Sequence, residues 1–118
     1  MATVLVVDDD SAVRELVTAL LKGNGHSVLA AANGLEALMV YSSYRARIDL
    51  VVTDVDMPQM NGIELVNRIR ALDPSKRIIV MSGRPLDDPV ENCALLSKPF
   101  TPNQLRAAVE AVSTPSTR

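Results

Sequence analysis

The chain has 118 residues, 47% of them hydrophobic, which suits one domain that buries a core without a metal or disulfide staple. Its formal charge is −2 and its 12 lysines and arginines are scattered, so no broad basic surface invites nucleic acid. No apolar stretch reaches the roughly 18 residues of a membrane helix. No basic segment with an apolar core opens the chain, and the single cysteine, Cys93, fits a reducing compartment, so the cytoplasm is expected.

Strands and helices alternate from end to end. Thr3–Val7 is a continuous apolar run, as a strand covered on both faces requires, and it ends in Asp8 and Asp9. The first helix is expected over Ser11–Lys22, with Val13, Leu16, Val17, Leu20 and Leu21 on one buried face and Gly23-Asn24-Gly25 as its stop. Asp10 and Ser11 suit its cap. The second strand, Ser27–Ala31, is a weaker run and belongs at or near a sheet edge. Asn33, with Glu36 three residues on, opens the second helix. The third strand, Asp49–Thr53, runs into Asp54. Asn61 and Glu64 repeat the start signal, Leu65, Val66, Ile69 and Leu72 line the third helix, and Asp73-Pro74 ends it. The fourth strand, Arg77–Met81, ends at Ser82. Gly83–Asn92 holds two prolines, so a helix there is short or missing. Cys93 reads as a small apolar residue at the start of a buried fifth strand, Ala94–Ser97, which leads into Lys98-Pro99. Thr101, Pro102 and Gln104 open the last helix, and Leu105, Ala108, Val109 and Val112 form its inner face. Residues 1–113 make the expected domain and 114–118 a flexible tail.

This alternation calls for an α/β fold: a flavodoxin-like, doubly wound, five-stranded parallel sheet of order 2-1-3-4-5 with right-handed crossovers. Ligands in such folds bind beyond the carboxyl ends of the strands, at the point where strand order reverses. Asp8, Asp9, Asp54, Ser82 and Lys98 all fall at those ends. Two like charges about 4 Å apart repel by roughly 4 kcal/mol at a near-surface dielectric. Converging carboxylates therefore need a cation or raised pKa values. An all-oxygen ligand set suits Mg²⁺ or Mn²⁺ better than zinc, and the lone histidine, His26, is far along the chain. A carboxylate can attack phosphorus to form an aspartyl phosphate. The metal, Lys98 and the Ser82 hydroxyl could each take one phosphoryl oxygen. No glycine-rich nucleotide loop is present.

VLVVDDD, VVTDVDMPQMNG, IIVMSG and LLSKPF, in this order, resemble the receiver domain of two-component response regulators, over essentially the whole chain. The resemblance implies that Asp54 is the phosphoacceptor and that Asp8 and Asp9 bind Mg²⁺ with Asp54 and the backbone carbonyl of Asp56. It implies that Ser82 is a switch hydroxyl, that Lys98 contacts the phosphoryl group, and that the Lys98–Pro99 bond is cis. The implied donor is a phosphohistidine on a sensor histidine kinase or phosphotransfer protein, with an unnamed output partner and a monomer or phosphorylation-dependent dimer. Such a domain is regulatory rather than an enzyme. Two departures stand out. Leu95 occupies a position, three before the lysine, where the family often carries an aromatic residue. The 16 positions from Ser82 to Lys98 are fewer than usual, as in receivers attached to hybrid sensor kinases. Asp56 and Arg84 hold positions that tune dephosphorylation in the family.

Taken singly, these motifs have ordinary readings. Asp8-Asp9 could cap a helix, Asp54-Val55-Asp56 and Ser82-Gly83 could be turns, and Lys98 could be a surface lysine. Their joint placement at strand ends favours the site. A phosphatase of the haloacid dehalogenase type also uses a strand-end DxD nucleophile. There the DxD comes first, whereas here Asp8-Asp9 precede it. A pseudo-receiver that binds partners without phosphorylation is a further alternative. Flavin binding is disfavoured by 3% aromatic content.

Overall fold

The computed structural model describes residues 2–83 and 93–113. The expected short or missing helix between Gly83 and Asn92 and the tail 114–118 fall outside the described residues. The elements, in chain order, are β1 (Thr3–Val7), α1 (Ser11–Gly23), β2 (Ser27–Ala31), α2 (Gly34–Tyr44), β3 (Leu50–Asp54), α3 (Gly62–Leu72), β4 (Arg77–Ser82), β5 (Ala94–Ser97) and α4 (Pro102–Ser113). All strand pairings are parallel, and the order is β2-β1-β3-β4-β5.

Alternate residues along each central strand feed two cores. Leu5, Val7, Val51, Ile78 and Val80 pack with Ala37 and Tyr41 of α2 and with Leu65, Val66 and Ile69 of α3. Val4, Val6, Leu50, Val52, Ile79 and Met81 pack with Val17 and Leu21 of α1 and with Leu105 and Val109 of α4. Helices therefore cover both faces, which explains the uninterrupted apolar runs of β1, β3 and β4. β2 is an edge strand, as its weak run suggests.

Helix starts follow their side chains. Asp10 accepts from the amides of Ala12 and Val13, Asn33 from Glu36, and Asn61 from Glu64. Thr101 and Gln104 close a reciprocal box, at 3.1 and 2.8 Å.

Four apolar residues depart from the expected pattern. Leu16 is 52% exposed rather than buried. At about 100° per residue it lies roughly 90° from the centre of the stripe of Val13, Val17, Leu20 and Leu21. Leu72, the last residue of α3, is exposed because the chain leaves the helix there, at Asp73. β5 is the other edge strand and buries only Leu96, while Leu95 faces out. Cys93 is half-buried before this edge strand rather than a buried one, and packs against the α2–α3 side.

Candidate functional site

The carboxyl ends of β1, β3, β4 and β5 stand side by side because those strands are neighbours in the sheet. Asp8 follows β1, Asp54 closes β3, Ser82 closes β4 and Lys98 follows β5. The sequence places Asp54 and Ser82 just past their strands, yet both are last members of the ladder. Asp54 stands opposite Met81 and Ser82 opposite Ser97. The pairing continues one step: the Val55 amide donates to the Met81 carbonyl and the Lys98 amide to that of Ser82. These backbones are held by the sheet and not by a loop, so their side chains are aimed by rigid structure.

Asp8 is fully buried, and Asp54 and Ser82 are nearly so. Asp9 and Asp56 are exposed, and Lys98 is half-buried. Carboxylate oxygens of Asp8, Asp9 and Asp54 lie within 4.8 Å of one another. That spacing and oxygen chemistry fit one hard divalent cation. Lys98 Nζ reaches between the carboxylates, donating to Asp8 Oδ2 at 3.0 Å and to Asp54 Oδ1 at 3.1 Å. The Asp10 amide donates to Asp8 Oδ1 at 2.9 Å. Arg14, on α1, donates from Nη1 to the main-chain carbonyl of Asp8 at 2.7 Å. The Lys98–Pro99 peptide is cis.

Burial raises the Asp54 pKa above the usual carboxylate value, and the Asp8 charge adds to the rise. The hydrogen bond and charge of Lys98 oppose it without cancelling it. Burial alone would lower the Lys98 pKa, but hydrogen bonds to Asp8 and Asp54 outweigh that effect and hold the ammonium charged. Asp54 is thus a carboxylate whose charge is under-compensated, which makes it basic and receptive to a cation or an electrophile.

The loop after β3 is shaped for close approach. A side-chain carbon at Gly62 would lie 2.1 Å from the Asp54 carbonyl oxygen and 2.9 Å from Val55 Cα. Only glycine lets α3 start against the Asp54 backbone. Gln59 adopts a φ of +69°, inside a tight turn in which the Met60 amide donates to the Pro58 carbonyl.

The sequence-family model described as the response regulator receiver domain matches residues 4–110. The chain belongs to the response regulator receiver domain family. It is 36% identical over 115 residues to the sensor kinase CckA of Brucella abortus, covering 92% of this chain and 12% of that protein. It is 33% identical over 113 residues to the sporulation initiation phosphotransferase F of Bacillus subtilis, covering 91% of this chain and 90% of that one. Among solved structures, the CheX–CheY–BeF3–Mg²⁺ complex of Borrelia burgdorferi superposes with a TM-score of 0.90 at 26% identity, over 97% of this chain and 90% of that one. The receiver thus spans a small part of one curated relative and nearly all of another. Receivers are regulatory signalling domains that interact with histidine kinases or phosphotransfer proteins. Neither a phosphatase nor a phosphorylation-independent module gains support from these relatives. Among the described residues no helix is long and apolar enough to cross a membrane.

The structure brings Asp8, Asp9, Asp54 and Lys98 into one cluster, with Ser82 at the adjoining strand end. Two groups escaped the sequence reading. The sequence analysis gave no role to Arg14, on α1, or to Gly62, at the start of α3. The signal for Gly62 was its place one residue after a helix cap. No local signal marks Arg14, because its partner is a backbone atom.

Proposed function

We propose that this receiver takes a phosphoryl group from a phosphohistidine onto Asp54. An Asp54 carboxylate oxygen attacks phosphorus, the P–N bond to the imidazole breaks, and the imidazole nitrogen takes a proton from water. The product is an aspartyl phosphate. Asp8, Asp9 and Asp54, with the main-chain carbonyl of Asp56, would hold Mg²⁺ or Mn²⁺. When bound, that cation offsets the negative charge of carboxylates and phosphoryl oxygens. Lys98 already bonds the Asp54 carboxylate, so a small shift carries its ammonium to a phosphoryl oxygen. The Ser82 hydroxyl, on the neighbouring strand, donates to another and couples phosphorylation to β4.

The observation that carries this reading is the buried Asp54 carboxylate, bridged to Asp8 by Lys98 and grouped with Asp8 and Asp9 within 4.8 Å. The domain assists only its own phosphorylation and dephosphorylation and switches a protein-interaction surface. Its donor is a sensor histidine kinase or phosphotransfer protein, its setting is the cytoplasm, and it acts as a monomer or a phosphorylation-dependent dimer. The test is intact mass after incubation with acetyl phosphate and Mg²⁺. The expected result is one phosphoryl adduct that requires Mg²⁺ and is lost in Asp54→Asn. Absence of an adduct while Mg²⁺ still binds would favour a phosphorylation-independent module or a strict need for the cognate phosphohistidine donor, and absence of transfer from a phosphohistidine donor as well would overturn the reading.

A further inference from the structure

Asp9 is the exposed member of the carboxylate cluster, and among the described residues its side chain has no hydrogen bond or ion pair. Asp8 and Asp54 are oriented by Lys98, and Asp8 also by the Asp10 amide. What orients Asp9 must therefore act through its backbone. Both peptide units that flank it are clamped by side chains. The peptide before it is held at its carbonyl, Asp8 O, by Arg14 Nη1 at 2.7 Å. The peptide after it is held at its N–H, Asp10 N, by Asp8 Oδ1 at 2.9 Å. Arg14 is itself placed by α1, where its amide bonds the Asp10 carbonyl at 2.9 Å. The cap residue Asp10 anchors that first turn.

We propose that Arg14 is a positioning residue for divalent-cation binding: by clamping the Asp8 carbonyl it fixes the Asp8–Asp9 peptide plane, and so aims the Asp9 carboxylate at the cation shared with Asp8 and Asp54. This rests on the cation site proposed above. Partners of ligands that are fixed in advance spare the site the ordering of a loose carboxylate on binding. The effect of losing this clamp is opposite in sign to that of simple electrostatics. Removing a positive charge beside three carboxylates should tighten cation binding by Coulomb's law. Removing a clamp should weaken it.

The test is Mn²⁺ affinity, read from the electron paramagnetic resonance of free Mn²⁺, for the whole chain and for Arg14→Met and Arg14→Lys, with thermal unfolding to check each fold. Arg14→Met is expected to bind Mn²⁺ about tenfold more weakly, in the range of lost outer-shell support. Arg14→Lys, which keeps one donor able to approach the carbonyl, should recover part of that loss. Equal or tighter binding by Arg14→Met, or no recovery by Arg14→Lys, overturns the assignment. If Arg14→Met does not fold, Arg14→Gln carries the same comparison. Failure of the unsubstituted chain to bind Mn²⁺ would instead bring down the cation site, and with it this role for Arg14.

Discussion

The two edges of the sheet each hold an aspartate against a cation, and they treat it in opposite ways. At the carboxyl edge, Asp54 shares Lys98 with the buried Asp8, and its pKa is raised, first by burial and then by the Asp8 charge. At the amino edge, Asp73 caps the end of α3 and receives a two-pronged contact from Arg45, at 2.8 and 2.9 Å, plus the Tyr41 hydroxyl. Its pKa is lowered, first by the Arg45 hydrogen bond and then by that of Tyr41. The Tyr41 pKa is raised by its burial and by the same bond. Arg45 Nη2 also holds the Leu72 carbonyl, so one guanidinium ties the end of α2 to the end of α3. One aspartate has more donors than charge to satisfy, and the other shares a single donor with a like charge. The first stabilises the fold; the second stores unfavourable charge where a ligand can relieve it.

The comparison can be broken most forcefully at Gly62. Gly62→Ala forces a carbon against the Asp54 carbonyl, and backbone on both sides must move. Destabilisation of about 3 kcal/mol or more is expected from urea unfolding, together with loss of the phosphoryl adduct. An unchanged urea midpoint would refute the close approach. At the amino edge, Tyr41→Phe removes one donor to Asp73 and should cost about 1 kcal/mol, since Arg45 still holds the carboxylate. A loss several times larger would mean that the hydroxyl, and not the guanidinium, is the main tie.

The smallest effects are the most diagnostic, because their signs differ. Asp54 has a raised folded-state pKa, so its ionisation opposes folding at pH above about 4. Asp54→Asn should therefore raise Tm by a few degrees at pH 7 with EDTA present, and the gain should shrink when Mg²⁺ is added. Asp73 has a lowered folded-state pKa, so its contribution is present above about pH 4 and is lost as pH falls through the folded value. Asp73→Asn should lower Tm at pH 7 and flatten the acid limb of the stability curve. Thermal unfolding between pH 3 and 7 reads both; shifts of the same sign would remove the contrast between the two edges.

Much of this was open to reading along the chain. The strand ends carrying Asp8, Asp54, Ser82 and Lys98 follow from continuous apolar runs punctuated by polar residues, a signal that needs no tertiary information. The caps at Asp10, Asn33, Asn61 and Thr101 are equally local. The exposure of Leu16 and Leu95 was not, because periodicity reports that a face is apolar without saying how wide the covering surface is. The Tyr41–Asp73–Arg45 tie was also hidden: Asp73 reads locally as a helix stop, and its partners stand 28 and 32 residues away.

Sequence alone determined the element order, the sheet class and which residues stand at strand ends, since these depend on short-range periodicity and breakers. Tertiary structure decided what those residues do to one another. Whether Lys98 bridges two carboxylates, whether Arg14 reaches a backbone carbonyl and whether an aspartate's pKa rises or falls all depend on distances of a few ångströms between segments far apart in the chain. Electrostatic and hydrogen-bond energies change steeply over those distances, and periodicity carries no record of them.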